Sequence, residues 1–245
     1  MNKNLSLIEP NILTIGVDAS APLPLHSDPG LPNFEGFEVD LMKSVAGRLK
    51  IPVSYKNSLW TKLLHDLVDG RVDMICTAST ITKERKEIVD FSQPYLDIRL
   101  AIVTRNESSI ETLADIGDRI VGVRLATTAE DFLRRYARAK SIRTLSIRTF
   151  DMNTDAYKTL QAGEVNAVID DSPIAQSFAD STPGLKLAGT IPGTEAQYAM
   201  MFRKGNDELR IAINDALTSI GADGTYDKIY RRWFAENSAP IRAAL

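Results

Sequence analysis

Residues 77–95, TASTITKERKEIVDFSQPY, contain an arginine at a position that favours binding of an anion. Thr82 is a typical helix N-cap residue, which places Arg85 in the first turn of a short helix. A cation there opposes the helix dipole at a cost of about 0.3–1 kcal/mol, and a bound anion would offset that cost. Guanidinium binds carboxylate through two parallel hydrogen bonds. The alternative is a surface arginine paired with Glu84 or Asp90.

Two neighbouring acids provide a second candidate binding group. Asp170 and Asp171 follow the apolar run 167–169 and directly precede Ser172-Pro173, a pair typical of a helix start. Because side chains alternate along a strand, the two carboxylates are expected on opposite faces, and only one can face a cleft. The alternative for either acid is a role as helix cap.

Two further residues hold comparable positions. Asp18 ends the first predicted strand, and Trp60 lies between a strand and the helix that begins near Leu63. Tryptophan is usually a core residue, but at such a position its ring could also form one wall of a cleft. Each of these residues by itself is weak support for a binding site.

The elements that must position these groups alternate between strand and helix. Strand-like apolar runs cover residues 12–17, 72–76, 98–103, 119–123, 167–169 and 199–202, and helical patterns cover 37–49, 63–68, 155–162, 207–220 and 226–233. The order predicts an α/β fold with mainly parallel strands in two tandem units. In such folds ligands bind at the carboxyl ends of the strands.

Composition narrows the possible functions. The chain has 245 residues, 44% hydrophobic and 25% charged, the balance of a soluble globular protein. Its formal net charge of −3 gives no reason to expect nucleic-acid binding. Cys76 is the only cysteine, and His26 and His65 are the only histidines. We therefore predict no intrachain disulfide, no metal, no cofactor and no catalytic triad.

The first ten residues, MNKNLSLIEP, lack the apolar stretch of a secretory signal. The chain either is cytoplasmic or has lost its signal, with Met1 as a replacement start. No apolar run approaches the roughly 18 residues of a membrane span.

Five segments in order resemble the type II periplasmic solute-binding proteins for amino acids, known as extracellular solute-binding protein family 3. They are FEGFEVDLMKSVAGRL (34–49), GRVDMICTASTITKERKEIVDFSQPY (70–95), VGVRLATTAE (121–130), GEVNAVIDDSPIA (163–175) and DGTYDKIYRRWF (223–234). The resemblance implies a two-lobed Venus-flytrap architecture. Residues 1–103 plus 200–245 would form lobe 1 and residues 104–199 lobe 2, with two crossover strands as hinge.

The resemblance also implies roles for individual residues. Arg85 would hold a ligand α-carboxylate with help from the backbone at Ala78 and the hydroxyl of Thr80, and Asp171 would receive the α-ammonium. Thr127 and Thr128 match a lobe 2 turn whose amide closes on the carboxylate. The full predicted set is Asp18, Trp60, Thr77, Ala78, Thr80, Arg85, Arg124, Thr127, Thr128 and Asp171.

The side-chain pocket departs from the common pattern in two ways. Ala21 stands where many relatives carry an aromatic residue, which leaves Trp60 as the main apolar wall. Asp18 and Arg124 add charges of both signs, unless the two pair with each other. We expect a polar or acidic ligand such as glutamine or glutamate, since an apolar ligand would leave those charges unpaired.

The implied function is that of a monomeric binding protein that delivers an amino acid to the permease of an ABC importer. It would work in the periplasm, or outside a Gram-positive cell on a membrane anchor. One alternative is the sensor domain of a receptor kinase, which would continue into a membrane helix. Another is an enzyme resembling cyclohexadienyl or arogenate dehydratases, with Glu130 as the nearest candidate acid. We expect Glu130 to be exposed and the protein not to be an enzyme.

Overall fold

The chain divides into two compact units in a computed structural model that describes residues 5–18, 20, 22–28, 30 and 32–234. Unit 1 contains the residues up to Asp97 and those from Ala196 onward, and unit 2 contains Ile98–Glu195. The chain therefore changes unit at 97/98 and again at 195/196, a few residues before the boundaries expected from the sequence.

Strands and helices alternate through most of the chain. The strands are β1 (Leu13–Val17), β2 (Val53–Asn57), β3 (Met74–Ile75), β4 (Val89–Phe91), β5 (Leu96–Ile98), β6 (Leu100–Arg105), β7 (Ile120–Arg124), β8 (Ser146–Phe150), β9 (Ala167–Asp171), β10 (Leu185–Thr190), β11 (Ala196–Tyr198) and β12 (Met201–Arg203). The helices are α1 (Phe37–Leu49), α2 (Trp60–Val68), α3 (Lys83–Ile88), α4 (Thr128–Ala139), α5 (Asn153–Gln161), α6 (Ser172–Ser181), α7 (Asp207–Ala222) and α8 (Thr225–Trp233), with a 3₁₀ turn at Leu113–Ile116.

Unit 1 is built on a sheet of strand order β2-β1-β3-β12-β4. β1 runs parallel to β2 and β3, while β12 runs antiparallel to β3 and β4. The three parallel strands end at one edge of the sheet, which we call the carboxyl edge of unit 1. Buried apolar side chains of α2 and the sheet pack beneath it, among them Leu63, Leu67, Ile75 and Met201.

Unit 2 repeats this plan with the order β10-β6-β9-β7-β8. β7 is parallel to β8 and β9, whereas β6 is antiparallel to both β9 and β10. The ends of β7, β8 and β9 define the carboxyl edge of unit 2. Its core includes Leu100, Ile102, Val121, Val123 and Ile169.

In each sheet four of the five strands run in the same direction, and one strand, β12 or β6, runs against both of its neighbours. The sheets are therefore mixed but mainly parallel, as predicted. The predicted βαβ connections account for the parallel pairs. The antiparallel pairs come from β12 and β6, which follow the points where the chain changes unit, and from β4 and β10 beside them. β5 and β11 form a separate two-stranded sheet at those same points.

The start of α1 requires glycine. Gly36 has a φ of 144°, and a Cβ atom there would lie 2.3 Å from the carbonyl oxygen of Leu25 and 2.4 Å from Cα of His26. The amides of Phe37 and Glu38 donate to the carbonyl oxygens of Pro24 and Leu25. Because α1 begins in close contact with residues 24–26, no side chain fits at position 36, and glycine is required there.

Several predicted elements have different ends. The apolar run 72–76 forms strand only at Met74–Ile75, and Trp60 is the first residue of α2 rather than a residue before it. Ser172 is the first residue of α6 and not its cap. Ala21 lies outside the described residues. Among the described residues, no helix combines the length and apolar character that crossing a bilayer requires.

Candidate functional site

Three predicted residues meet at the carboxyl edge of unit 1. Asp18 directly follows β1, Thr77 follows β3 after one residue, and Trp60 begins the helix after β2. The amide of Asp18 lies 3.4 Å from the Thr77 hydroxyl, which joins the first two segments. Parallel pairing of β1 with both neighbours is the reason that these segments share one edge.

Arg85 occupies the place that its sequence context predicts. The Thr82 hydroxyl accepts from the Arg85 amide at 3.1 Å and caps α3, so that Arg85 is the third residue of this six-residue helix. Because the helix is so short, Arg85 also belongs to its last turn, and the expected opposition between its charge and the helix dipole is absent. The guanidinium donates to the carbonyl oxygen of Thr80 at 2.8 Å and lies 4.9 Å from the centre of the Trp60 ring. The side chain is half-buried. Trp60 therefore orients the cation by a cation–π contact in addition to any role as cleft wall.

Asp90, a partner proposed for Arg85 in the surface interpretation, binds other groups. Its carboxylate accepts from the Lys204 ammonium at 2.8 Å and from the Gly205 amide at 2.9 Å. The hydrogen bond from Lys204 is the main cause that lowers the pKa of Asp90. Asp90 thus anchors the turn after β12.

Residues 77–80 form a buried turn at the same edge. Thr77 and Thr80 are 1% and 3% exposed, and Ala78 has a φ of 38°, in the left-handed region that alanine rarely adopts. The Ala78 amide, which we expected to assist in carboxylate binding, donates to the Glu38 carboxylate at 2.7 Å. That amide is therefore already engaged within unit 1.

A buried polar network that the sequence did not reveal supports this turn. The Glu38 carboxylate also accepts from the Tyr95 hydroxyl at 2.6 Å, and Nε2 of His26 lies 2.9 Å from the Thr77 hydroxyl. Glu38 is 2% and His26 0% exposed. The available sequence signal was the acid Glu38 among the apolar residues of the segment FEVDLM (37–42). It was not recognised because acids are common in the first turn of helices.

Asp18 is buried, and its carboxylate accepts hydrogen bonds from the nearby residue Ser20. The side chain is 2% exposed, and its two oxygens lie 3.0 and 3.1 Å from the Ser20 hydroxyl. One oxygen also accepts from the Ser20 amide. Hydrogen bonds of this kind stabilise a charged carboxylate at the end of β1.

The carboxyl edge of unit 2 collects the remaining predicted residues. Arg124 and Asp171 are the last residues of β7 and β9, and Thr128 begins α4 just after β7. Nε of Arg124 donates to the carbonyl oxygen of Asp151 at 3.2 Å, which ties β7 to the segment after β8. Arg124 is 7% exposed. Strand β8, and with it the contribution of Asp151, was not predicted, because the segment SIRTF is short and only partly buried.

Thr127 is the N-cap of α4. Its hydroxyl donates to the carbonyl oxygen of Arg124 at 2.7 Å and accepts from the Glu130 amide at 3.4 Å. Glu130 was expected to be exposed, but it is 8% exposed and accepts from the Ala126 amide and from Arg134. The helix start turns this carboxylate back onto the preceding loop, where it binds the amide of the residue before the N-cap.

Asp170 and Asp171 are both buried. The Asp170 carboxylate accepts from the Asp171 amide at 2.9 Å and from the Tyr157 hydroxyl of α5 at 3.3 Å. Burial, with a further contribution from Asp171, raises the pKa of Asp170 to about 7. Asp171 holds the N-cap position of α6, yet within the described residues its side chain makes no capping hydrogen bond. The capping alternative for Asp171 therefore lacks the contact that would support it.

Each unit thus presents its own set of candidate binding residues. Unit 1 brings together Arg85, Trp60, Asp18 and residues 77–80, and unit 2 brings together Arg124, Asp171 and residues 127–128. In the described part of the chain, no group of three or more His, Cys, Asp or Glu side chains is placed to hold a metal ion. The groups offer charge pairing and hydrogen bonds to a small molecule that carries charges of both signs.

Comparison with protein families gives one extensive match. Residues 13–236 match the model of the bacterial extracellular solute-binding proteins, family 3. The matched region runs from the first strand to just past the last helix and includes every predicted binding residue.

Among individual proteins, the chain is 29% identical to the L-cystine-binding protein TcyJ of Escherichia coli strain K12, over 92% of this chain and 84% of that protein. Among solved structures, an ancestral arginine-binding protein bound to arginine is 34% identical, with a TM-score of 0.85, covering 92% of this chain and 99% of the other.

One similar structure is that of an ancestral protein from which an enzyme is derived. The ancestral amino-acid-binding protein AncCDT-1, a precursor of cyclohexadienyl dehydratase, is 30% identical with a TM-score of 0.81. The match covers 91% of this chain and 95% of that protein. It is itself described as an amino-acid-binding protein.

Proposed function

The chain belongs to the bacterial extracellular solute-binding proteins of family 3, and from this premise we propose that it binds a free amino acid and delivers it to an ABC importer. The observation that carries the proposal is Arg85, a half-buried cation on α3 whose guanidinium lies against the Trp60 ring and is tied to the carbonyl oxygen of Thr80. A guanidinium oriented in this way can bind a carboxylate through two parallel hydrogen bonds.

Asp171 is the proposed partner for the α-ammonium. It is 8% exposed at the carboxyl edge of unit 2. A zwitterion that leaves water loses hydration at both charged ends, so both ends need charged partners. Arg85 in unit 1 and Asp171 in unit 2 would supply them, and a ligand that contacts both units would stabilise the arrangement in which both contacts exist. Residues 77, 80, 127 and 128 would supply further hydrogen bonds.

The ligand class follows from the remaining charges. Asp18 and Arg124 are both buried, and their signs are opposite. A polar or acidic amino acid would hydrogen-bond to one or both, in addition to the contacts that Asp18 makes with Ser20 and Arg124 with Asp151. Trp60 would contact the apolar part of the ligand. We propose glutamine or glutamate as the first candidates, with the protein acting as a monomer outside the cytoplasmic membrane.

The dehydratase alternative loses its candidate acid. Such an enzyme needs a carboxylic acid positioned against a leaving hydroxyl. The Glu130 carboxylate instead accepts from the Ala126 amide at 2.8 Å and from Arg134 at 2.9 Å. Incubation with prephenate or arogenate, followed by the absorbance of an aromatic product, tests this alternative directly, and product formation would establish it.

The decisive experiment is thermal unfolding in the presence of a panel of amino acids. A ligand at about 100 times its dissociation constant adds about 2.7 kcal/mol of stability. We expect Arg85→Ala to remove the increase in Tm. Arg210→Ala is the matched control, because Arg210 makes an ion pair with Asp207 on α7 and belongs to neither carboxyl edge. Absence of any increase across the panel would refute the proposal, and retention of the increase by Arg85→Ala would remove Arg85 from the site.

A further inference from the structure

Glu38 is a buried acid that the proposed binding contacts do not use. It is the second residue of α1 and is 2% exposed. One of its oxygens, Oε1, accepts from the Ala78 amide at 2.7 Å and from the Tyr95 hydroxyl at 2.6 Å. Since burying a carboxylate is costly, two short hydrogen bonds to one oxygen indicate a defined structural task for this group.

The bond to Ala78 holds a strained part of the chain. Ala78 has a φ of 38°, which costs free energy for a residue with a Cβ atom. Its amide points to Glu38, which lies 40 residues away in the sequence. The carboxylate therefore fixes the orientation of the peptide between Thr77 and Ala78, in the middle of the turn that precedes Arg85.

His26 contacts Thr77, the residue before Ala78. Nδ1 of His26 lies 3.0 Å from the carbonyl oxygen of Ser27, and because a carbonyl only accepts, Nδ1 carries the hydrogen. Nε2 lies 2.9 Å from the Thr77 hydroxyl and 3.8 Å from Oε2 of Glu38. The same hydroxyl is near the Asp18 amide, at 3.4 Å. Two neighbouring buried residues thus hold this segment: Glu38 binds the Ala78 amide, and His26 binds the Thr77 side chain, which in turn lies near the end of β1.

We propose that Glu38 is a positioning residue that presets residues 77–80 for ligand binding. The inference rests on the proposed function and deepens it. If the turn is already in its binding conformation before the ligand arrives, the ligand does not have to order it, and the affinity is correspondingly higher. Loss of the Glu38 acceptor leaves a buried amide unsatisfied and frees the turn to adopt other conformations.

Asp73 provides a matched control within the same unit. It is 0% exposed, and its two oxygens accept from the amides of Ile8 and Thr14, each at 2.8 Å. Asp73 precedes β3, so it lies at the opposite edge of the sheet from residues 77–80. Asp73→Asn removes the charge of a buried acid that holds backbone amides, but away from the proposed site.

The test compares two substitutions of Glu38 in the full chain. Glu38→Gln keeps an oxygen that accepts both hydrogen bonds, whereas Glu38→Met keeps the length and removes the acceptor. Dissociation constants for glutamine, glutamate, arginine, histidine and cystine are measured by calorimetry, beside Tm without ligand. We expect Glu38→Met to bind about tenfold more weakly or worse, and Glu38→Gln to stay within about threefold of the wild type. Asp73→Asn should lower Tm and leave affinity unchanged.

Hydrogen exchange of the Ala78 amide gives a readout that needs no ligand. We expect slow exchange in the wild type and in Glu38→Gln, and faster exchange in Glu38→Met. If Glu38→Met does not fold, Tyr95→Phe, which removes one donor to the same oxygen, takes its place with a smaller expected loss of affinity. A folded Glu38→Met with wild-type affinity, or with an Ala78 amide that exchanges as slowly as before, overturns the inference. If the wild type binds none of the five amino acids, the proposed function fails, and the exchange rates alone decide the role of Glu38.

Discussion

Arg85 in unit 1 and the acids Asp170 and Asp171 in unit 2 lie at the carboxyl edges of their sheets, but on very different supports. In unit 1 the cation Arg85 lies on α3, a six-residue helix of which none of the residues, all within the described part, is buried. In unit 2 the acids Asp170 and Asp171 end β9, a strand in which all five residues are buried. The cation stays partly hydrated and is oriented by a cap and a ring, whereas the acids are desolvated.

This difference has a consequence for protonation. An arginine keeps its charge in either setting, so its site needs only orientation. Burial of the carboxyl group, and after it the neighbouring charge of Asp171, raises the pKa of Asp170 to about 7. Changes of pH, and substitutions, should therefore affect stability and binding more at Asp170 and Asp171 than at Arg85.

The largest effect is expected when the charge of Asp171, the proposed partner of the ligand ammonium, is removed. Asp171→Asn should weaken amino-acid binding by about 2–5 kcal/mol, because the ammonium would lose its charged partner in a desolvated setting. Calorimetric titration measures this. Asp180→Asn, at an exposed acid of α6, should bind as the wild type does. Affinity within about threefold of the wild type in Asp171→Asn would remove Asp171 from the site.

The next effect concerns stability against pH. The folded pKa of Asp170, about 7, lies above the ordinary 3.8, so between these values the folded state holds a proton that the unfolded state has lost. Stability of the wild type relative to Asp170→Asn should therefore fall as pH rises through that window, by the order of a few kcal/mol. Thermal unfolding from pH 4 to pH 8 measures the difference. Parallel profiles would contradict it, and Asp155→Asn on α5 is the exposed control.

The helix caps permit a more even comparison of the two edges. Thr82 caps α3 and Thr127 caps α4 through their hydroxyls, and each substitution to alanine should cost about 1 kcal/mol of unfolding free energy. Thr82→Ala should in addition weaken ligand binding, because the cap sets the helix turn that carries Arg85. Denaturant unfolding and titration measure the two effects. Thr82→Ser should restore both, and an unchanged affinity in Thr82→Ala would separate the cap from the site.

The smallest expected effect is at Trp60. Trp60→Leu keeps an apolar side chain but removes the ring beside the Arg85 guanidinium, a contact worth about 0.5–1 kcal/mol. We expect binding to weaken about twofold to fivefold, measured by titration, with Trp60→Phe in between. A loss of more than about tenfold would show that the ring contacts the ligand more than it orients the arginine.

The helices and the helix cap near Arg85 could be predicted from the sequence, because apolar spacing and capping depend on residues close together in the chain. The bounds of α1 follow from its apolar spacing, and the Thr82 cap places Arg85 in the first turn of α3 as predicted. Strands β2, β4, β8 and β10 were missed, since partly exposed edge or peripheral strands carry little continuous apolar signal. The burial of Glu130 was missed because a helix pattern does not show which way its first turn folds back.

The sequence by itself determined the α/β class, the family resemblance and the candidate residues, because capping, alternation and motif spacing act over a few residues. Only the tertiary structure decided that the sheets are mixed, that Asp170 faces Tyr157, and that the Ala78 amide is held by Glu38. These contacts join residues far apart in the chain. Their energies depend on burial and distance, which no local pattern specifies.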